Sequence, residues 1–299
     1  MHFMADYIIQ KATEFDKQVS AYKKAHTLDG LAQSTHIGQR KYDGCHMVVR
    51  TEMPQHGGYA QSRTGELVKS CDHIVQACNK VFGIGWVVFG EVWQLNTPFP
   101  EISGAFRRHA PQPQLVYVVY DIVSHHAYEQ GHDPVPYDER MKHLCLNLRK
   151  LNFIDSPLVE VAYYPPGTYV PQQLANQLVA EGGYDGLIMR DAREPWIKGV
   201  ARNGELIKVK PVMSFDLLVT GVEEGEGKMA GMAGNLVLEY NGKPVRAGGL
   251  DYDTRRAWLA DPSSIIGHIV EVECIGITED GSLREPRIKG VRHDKLKPD

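Results

Sequence analysis

The sequence lacks the features that assign a chain to several common classes of protein. No apolar run reaches the roughly 18 residues that a membrane-spanning helix needs, and no basic segment followed by an apolar one opens the chain, as in a secretory signal. The five cysteines are odd in number and form no Cys-x-x-Cys pair, which favours reduced thiols over disulfides or a zinc site. We therefore expect a cytoplasmic protein that does not use a membrane.

Two common signatures of nucleotide and metal chemistry are also missing. The sequence contains no Gly-x-x-x-x-Gly-Lys phosphate loop and no His-Glu-x-x-His helix, so a nucleotide would have to be held by other groups. The formal net charge of −4 argues mildly against nucleic acid as a partner. However, basic residues cluster at Arg107-Arg108, between Lys198 and Lys210, and in the last sixteen residues, which leaves room for a positive groove on an acidic body.

Length and local patterns predict two domains. A chain of 299 residues is long enough for about two domains of ~150 residues each. Short β-branched runs bounded by Gly and Pro predict strands at residues 47–49, 85–89, 115–120, 187–189 and 206–210. Helical patterns are expected at residues 5–25, 66–81, 137–151 and 171–182. Because these elements do not alternate regularly, residues 1–212 are expected to form an α+β domain of mixed or antiparallel sheets with helices.

Beyond Pro211 the pattern changes to strands almost throughout. Strand-like runs occupy residues 216–220, 234–240, 245–247 and 268–274, with a single helix near 254–260. Asn241-Gly242 between two of these runs is a strong signal for a hairpin turn. Residues 213–299 therefore fit a small β-barrel of the OB-fold type.

Seven charged or aromatic clusters follow one another in a fixed order, and together they are far more specific than any one of them. They are Lys41-Tyr42-Asp43-Gly44, Ser62-Arg63-Thr64-Gly65, Phe89-Gly90-Glu91, Tyr120-Asp121, Asp185-Gly186-Leu187-Ile188-Met189-Arg190, Lys208-Val209-Lys210-Pro211 and Arg292-His293-Asp294-Lys295. This ordered set resembles the ATP-dependent DNA ligases, in the covalent nucleotidyltransferase superfamily that also contains RNA ligases and mRNA-capping enzymes. The resemblance runs from about residue 39 to 295 and is strongest to small two-domain ligases of the bacteriophage type.

The resemblance implies both a fold and a function. The fold would be an adenylation (nucleotidyltransferase) domain followed by an OB-fold domain. The function would be the sealing of nicks in duplex DNA during replication, repair or recombination, with ATP as cosubstrate and Mg²⁺ or Mn²⁺ as the metal. The enzyme would act as a monomer in the cytoplasm of a bacterium, or of the host if a phage encodes it.

Lys41 is the candidate nucleophile. Lysine attacks phosphorus only as the free amine, and nearby cations favour that form. Lys208 and Lys210 lie two residues apart on a predicted strand, so both side chains point the same way and can reach one pocket. By resemblance, Lys41 forms the lysyl-AMP intermediate, and Asp43 is a carboxylate close to it.

Glu91 and Asp185 are the candidate metal ligands, because Mg²⁺ prefers oxygen ligands and each residue lies beside a glycine. The family usually has Glu at the position of Asp185, so this side chain is shorter by one methylene. The resemblance implies that Glu91 also belongs to the ATP site, and that Arg63 contacts the AMP ribose and the 5′-phosphate of the nick. Arg107, Arg108 and Lys198 are further candidates for DNA contacts.

The resemblance implies that Tyr120 stacks on adenine, with Tyr117 as the alternative on the opposite strand face. It also implies that Arg292 and Lys295 orient the pyrophosphate leaving group. Two further positions depart from the family pattern. His46 stands where an arginine is frequent, and Gln39 stands where an acid is usual two residues before the lysine. An amide can both accept and donate at an adenine edge, so Gln39 is compatible with adenine.

Two other functions remain open from the sequence. The chain could be an RNA ligase or an mRNA-capping nucleotidyltransferase, because the nucleobase is chosen by pocket contacts that a sequence does not reveal. It could also be a catalytically silent OB-type DNA-binding scaffold, although the presence of Lys41, Lys208 and Lys210 speaks against this.

Overall fold

The computed structural model describes residues 9–52, 57–149, 156–278 and 280–299. It contains two compact units, Met1–Lys210 and Pro211–Asp299, here called the first and the second unit. The division lies close to the boundary that the sequence predicts after residue 212. Among the helices of these described ranges, none is both long enough and apolar enough to cross a membrane.

The first unit combines two larger antiparallel sheets with helices. Its described strands are β1 Gln10–Lys11, β2 His36–Tyr42, β3 Cys45–Arg50, β4 Tyr59–Ser62, β5 Trp86–Trp93, β6 Val116–Ser124, β7 His132–Asp133, β8 Leu158–Glu160, β9 Tyr163–Tyr164, β10 Tyr184–Asp191, β11 Trp196–Ile197, β12 Gly199–Val200 and β13 Leu206–Val209. Its described helices are α1 Ser20–Ala25, α2 Leu28–Ser34, α3 Asp72–Phe82, α4 Phe99–Phe106, α5 His125–Gln130, α6 Tyr137–Leu148 and α7 Pro171–Glu181.

The two larger sheets have the strand orders β4-β3-β5-β6-β8 and β13-β10-β2-β9. Only β8 pairs in parallel within them, with β6. The five-stranded sheet is buried on both faces: Met47 and Val49 pack on one side and Val48 on the other. This double burial explains why β3 is a continuous apolar run rather than an alternating one. The predicted α+β architecture is confirmed.

The second unit is a five-stranded antiparallel sheet with one helix. Its elements are β14 Met213–Glu224, β15 Ala233–Tyr240, β16 Lys243–Ala247, α8 Tyr252–Ala260, β17 Ile269–Cys274 and β18 Arg287–Val291. The strand order is β16-β15-β14-β17-β18, and an isolated parallel bridge from Gly248 to Arg287 joins the two edge strands. Asn241 and Gly242 form the predicted hairpin turn, with φ of 50° and 73° as a type I′ turn requires.

Two predicted helices differ from the structure. In the predicted helix 5–25, residues 5–8 lie outside the described residues, and beyond them only Ser20–Ala25 is α-helical. Gln10–Lys11 is a strand instead, because it finds a parallel partner in Gly199–Val200, far along the chain. The helix predicted at 66–81 begins only at Asp72, since residues 66–68 turn back onto β4: Val68 N donates to Ala60 O at 2.9 Å. The helix predicted at 137–151 is observed to Leu148, and residues 150 and 151 lie outside the described ranges.

Candidate active site

A cavity of about 350 Å³ in the first unit, here called the Lys41 cavity, collects residues from both larger sheets and from the amino-terminal segment. It brings together seven of the predicted site residues, Lys41, Arg63, Glu91, Tyr120, Asp185, Lys208 and Lys210. His46 and Gln39, which also depart from the family pattern, line it as well. Ile9, Val161, Ile188 and Leu206 supply apolar wall. The cavity wall therefore combines cationic side chains with apolar and aromatic ones, as a nucleotide site is expected to do.

Lys41 is held opposite a β-bulge. In the pairing of β2 with β10, Tyr42 faces Tyr184 and Arg40 faces Leu187, so Asp185 and Gly186 together oppose Lys41. A bulge turns a side chain away from the regular alternation of a strand. Here Lys41 Nζ donates to Asp185 Oδ2 at 2.5 Å.

The glycines that follow Asp43 and Asp185 are required by close backbone packing. A Cβ on Gly44 would lie 2.3 Å from Val92 O, and one on Gly186 would lie 2.3 Å from Val209 O. Real Cβ atoms do not approach so closely, so either side chain would push the β2–β3 turn or the bulge out of place. The glycines in Asp43-Gly44 and Asp185-Gly186 thus have a structural reason that is independent of chemistry.

Glu91 lies on β5 and enters the cavity as a partly neutralised carboxyl group. Its pKa is raised to about 8, chiefly by burial and also by the negative charges of Asp43 and Asp185, while Lys41 and Arg63 oppose the shift. A carboxyl group that is hard to ionise beside a second carboxylate is a favourable place for a cation. Glu91 and Asp185 together suit Mg²⁺, which is usually held by one or two carboxylates plus phosphate oxygens and waters.

Tyr120 reaches the cavity through a second bulge. In the pairing of β5 with β6, Phe89 faces Asp121 and Gly90 faces Val119, which leaves Tyr120 as the extra residue. Its hydroxyl lies 2.6 Å from Nδ1 of His46, and burial lowers the pKa of His46 to about 3, so this imidazole is neutral. Tyr117, the alternative aromatic platform, is fully buried in the core and donates to the carbonyls of Met47 and Val88.

The amino-terminal segment adds residues that sequence reasoning missed. Ile9, Gln10, Lys11 and Ala12 line the cavity, because β1 docks beside β12. Just after them, Glu14 Oε1 lies 3.4 Å from Nζ of Lys208, so this lysine of β13 has a local counter-ion. No local motif marks Glu14, since its partner is far away in sequence.

A buried ionic cluster supports the cavity from behind. Arg140 donates to both carboxylate oxygens of Asp121 at 2.8 and 3.0 Å, and Arg190 donates to Oδ2 at 2.8 Å. All three side chains are at most 5% exposed. The Arg190 guanidinium also lies 4.3 Å from the ring centre of Tyr137, at the start of α6. Asp121 and Arg190 belong to clusters that the sequence singled out, whereas Arg140 and Tyr137 were not recognised.

Four predicted site residues of the first unit are not part of the cavity wall in the described structure. Asp43 lies in the β2–β3 turn, where its backbone N–H donates to Gly183 O, and its charge acts on Glu91. Arg107 and Arg108 are exposed at the end of α4. Lys198 is half-buried between β11 and β12, with Nζ 4.8 Å from the ring centre of Tyr128.

Arg292 and Lys295 belong to the second unit and share one carboxylate there. Asp216 on β14 accepts from Arg292 at 3.0 Å and from Lys295 at 2.5 Å. Arg292 also pairs with Asp294 at 2.7 Å. Their positive charges are thus compensated within the unit by an aspartate that is itself largely buried.

The second unit matches a known domain family, and the chain has DNA ligases among its relatives. The family model of the DNA ligase OB-like domain matches residues 224–292. A probable DNA ligase of Kineococcus radiotolerans is 41% identical over 66 residues, 22% of this chain and 13% of the relative. A probable DNA ligase of Pseudarthrobacter chlorophenolicus is 25% identical over 193 residues, 50% and 38% of the two chains. A DNA ligase of Halobacterium salinarum is 32% identical over 145 residues, 38% and 25%. The chain thus covers well under half of these relatives.

Solved structures show that the complete fold is shared. A structure described as Pmar-Lig_PreS3 has a TM-score of 0.70 at 20% identity over 96% of this chain and 68% of its own. A structure from a study of Lig E DNA ligases has a TM-score of 0.63 at 17% identity over 95% and 98%. The ATP-dependent DNA ligase of bacteriophage T7, in complex with ATP, has 0.55 at 22% over 98% and 100%. The second unit thus carries a DNA ligase OB-like domain, the relatives of the chain are named as DNA ligases, and its fold is shared with solved DNA ligases.

Proposed function

We propose that this chain is an ATP-dependent DNA ligase that seals nicks between a 5′-phosphate and a 3′-hydroxyl in duplex DNA. The observation that carries the proposal is the contact of Lys41 Nζ with Asp185, in a cavity that also holds Glu91, Lys208 and Lys210. This set combines a nucleophile, two carboxylates and surplus positive charge in one place. Phosphoryl transfer needs little more from a protein than such positioning and charge neutralisation.

In the first step, the Lys41 amine attacks the α-phosphorus of ATP. A phosphorus–nitrogen bond forms, the bond to the pyrophosphate oxygen breaks, and lysyl-AMP remains. Lys208, Lys210 and Arg63 are placed around the same cavity and offset the negative charge that builds up on the phosphate oxygens. Arg292 and Lys295 of the second unit are assigned to the departing pyrophosphate, which requires them to exchange Asp216 for this new anion.

Glu91 and Asp185 are the residues that would hold Mg²⁺ or Mn²⁺. When bound, the metal would supply positive charge that stabilises phosphate oxygens. The chain's own groups supply the remainder: Tyr120 offers its ring to the base, and Arg63 contacts the sugar and the nick phosphate.

In the second step, AMP passes from Lys41 to the 5′-phosphate of the nick. In the third step, the 3′-hydroxyl displaces AMP and the strand is sealed. Both later steps need the duplex beside the cavity, and we assign Arg107, Arg108 and Lys198 to its phosphates. The enzyme is proposed to act as a monomer in the cytoplasm.

The proposal is tested by gel assays with ATP labelled at the α-phosphate. Wild-type protein should acquire the label covalently and should seal a 5′-phosphorylated nick in duplex DNA with ATP and Mg²⁺, but not with NAD⁺. Lys41→Ala should lose both activities. Lys142→Ala is the control for this loss of a lysine, since Lys142 is an exposed lysine on α6. Labelled adduct without sealing of any nick would contradict the DNA ligase assignment.

The same assays separate the alternatives. Covalent labelling by GTP rather than ATP would indicate a capping-type enzyme, and sealing confined to RNA strands would indicate an RNA ligase. DNA binding without any lysyl-AMP would indicate a silent scaffold. The salt dependence of nick binding adds an independent criterion, because each neutralised duplex phosphate contributes a slope of about −0.9 in log K against log salt. A nearly flat response would point away from duplex DNA.

A further inference from the structure

A buried hydrogen-bond chain links Gln39, in the wall of the Lys41 cavity, to helix α6. Gln39 lies two residues before Lys41 on β2, so its side chain shares the face of the strand that carries the nucleophile. Its Nε2 lies 2.5 Å from the hydroxyl oxygen of Tyr137, and that hydroxyl lies 2.9 Å from the carbonyl oxygen of Tyr120. Gln39 and Tyr137 are 2% and 1% exposed, so water does not compete for these bonds.

The direction of the hydrogen bonds follows from the number of protons available. Tyr120 is the extra residue of its bulge, outside the ladder pairs, and its carbonyl oxygen can only accept. Burial raises the pKa of Tyr137, so the phenol keeps its single proton and gives it to that carbonyl. The phenol oxygen is then left as an acceptor towards Gln39, and only the NH₂ group of Gln39 can satisfy it.

This arrangement fixes which end of the Gln39 side-chain amide is available to a ligand. With Nε2 bound to Tyr137, the carbonyl oxygen Oε1 is what Gln39 has left to offer, and it has no side-chain or backbone partner among the described residues. Gln39 lines two cavities, the Lys41 cavity and a neighbouring apolar one beside α6, whereas Tyr137 lines only the latter. The nitrogen therefore points towards α6, and the oxygen is left for the Lys41 cavity.

We propose that Tyr137 is a positioning residue for nucleobase choice: it fixes Gln39 as a hydrogen-bond acceptor that selects a purine carrying an amine at C6. This inference rests on the proposed function, because it places a purine nucleotide in the Lys41 cavity. In that proposed binding mode the lysines and Arg63 serve the phosphates and the sugar, which leaves Gln39, Tyr120 and the apolar wall for the base. Adenine presents an amine at C6 to such an acceptor, and guanine presents a carbonyl oxygen that is repelled.

The variant Tyr137→Phe isolates the hydroxyl. The ring packs 4.3 Å from Arg190 and is held at the first residue of α6, so the phenylalanine keeps that packing. Without the phenol oxygen, Gln39 is free to rotate and to present either end of its amide. Tyr117→Phe is the matched control, since Tyr117 is a fully buried tyrosine of the same unit whose hydroxyl donates to two carbonyls away from the cavity.

The test compares ATP, GTP and purine riboside triphosphate, which lacks the amine at C6. Binding constants are measured by calorimetry in a Lys41→Ala background, and rates of lysyl-nucleotide formation are measured with Lys41 present. With Tyr137 intact, ATP should be preferred over purine riboside triphosphate by about tenfold or more, the worth of one well-formed hydrogen bond. Tyr137→Phe should reduce this preference severalfold, Gln39→Leu should abolish it, and Tyr117→Phe should leave it unchanged.

The double variant decides whether Tyr137 acts through Gln39. In a Gln39→Leu background, Tyr137→Phe should have no further effect on the preference, whereas independent effects would multiply. An unchanged preference in Tyr137→Phe, or multiplying effects, would overturn the inference. If no nucleotide labels Lys41 at all, the proposed function fails, and the binding constants still report on Tyr137.

A second measurement needs no variant at position 137. The side-chain ¹H–¹⁵N signals of Gln39, identified by their absence in Gln39→Leu, should show slow proton exchange both with and without bound ATP. This is expected because Nε2 keeps its bond to Tyr137 while Oε1 serves the base. Loss of that protection when ATP binds would mean that the nitrogen serves the base, which contradicts the inference.

Discussion

Glu91 and His46 are cross-strand neighbours on β5 and β3, and burial shifts their pKa values in opposite directions. The pKa of Glu91 rises to about 8 and that of His46 falls to about 3, so both side chains are uncharged at neutral pH. A neutral His46 can share a hydrogen bond with Tyr120 without placing a cation beside the base. A protonated Glu91 leaves the cavity ready for positive charge, which would favour ionisation of the carboxyl group.

The first prediction concerns the pH dependence of stability. Glu91 holds a proton more tightly in the folded chain than in the unfolded one, so its contribution is full at low pH and declines from about pH 4.5 to 8. His46 releases its proton on folding, so its contribution grows with pH from about 3 to 6.5 and is constant above. As the pH rises from 6.5 to 8, only Glu91 of these two residues should lower the free energy of unfolding, by up to about 1.4 kcal/mol per pH unit.

In urea unfolding, the free energy of unfolding of Glu91→Gln should not show this decline, because the amide mimics the protonated acid. Glu101→Gln, at an exposed position on α4, is the control and should unfold with the wild-type pH profile. An identical slope in Glu91→Gln and the wild type above pH 6.5 would show that Glu91 is already ionised in the folded protein.

The second prediction concerns the nucleophile. Lys41→Ala should abolish lysyl-AMP formation and the sealing of an ordinary nick, because no other amine takes its place opposite the bulge. A pre-adenylylated nick should still be sealed in part, since the third step does not require a nucleophilic lysine. Asp185→Asn should slow the first step as well, by roughly 100-fold, because it removes one of the two carboxylates that are proposed to hold the metal. Full ligation by Lys41→Ala with ATP would exclude Lys41 as the attacking group.

The third prediction concerns the ionic cluster behind the cavity. Asp121→Asn should reduce the free energy of unfolding by about 3–5 kcal/mol, because it leaves Arg140 and Arg190 buried without their shared counter-ion. Asp138→Asn is the comparison: its side chain is 43% exposed and 3.6 Å from Lys142, and its loss should cost less than about 1 kcal/mol. Equal costs in urea unfolding would mean that the cluster is not a stabilising centre.

The sequence predicts best what is encoded locally. Lys41-Tyr42-Asp43-Gly44 and Asp185-Gly186 are recognisable because each carries its own turn or bulge, and the glycine is demanded by backbone approach at that point. The Asn241-Gly242 hairpin and the helix led by Pro171 are predictable for the same reason. In each case the physical cause lies within a few residues.

What the sequence does not reveal depends on distant partners. Gln39 and Tyr137 are separated by 98 positions, and nothing in the residues around Tyr137 announces a hydrogen bond to β2. Glu14 acquires its role only when β1 pairs with β12 and brings it to Lys208. The failed helix near the amino terminus has the same origin, since a distant parallel strand partner outweighs a weak local helical pattern.

The fourth prediction concerns Arg292 and Lys295. Changing both to Ala should slow self-adenylylation by about 100-fold or more, because the first step needs positive charge at the departing pyrophosphate. The sealing of pre-adenylylated DNA should suffer much less, since no pyrophosphate leaves in that step. Point variants are preferable to removing residues 284–299, because that deletion would also take away strand β18. Lys289→Ala is the control, as Lys289 is an exposed lysine of β18 that pairs with Glu273.

The pairing of Arg292 and Lys295 with Asp216 allows an effect on folding to be separated from an effect on catalysis. Both cations contact this carboxylate in the second unit, so they must leave it to reach another anion, and a hinge at residues 211–215 is the proposed route. Thermal unfolding of the double variant measures the separate cost of leaving Asp216 unpaired. If both assays lose the same factor while the unfolding temperature is unchanged, the two residues grip DNA rather than pyrophosphate, and hinged closure in the first step is excluded. If the unfolding temperature falls and both assays fall with it, Arg292 and Lys295 are elements of the fold.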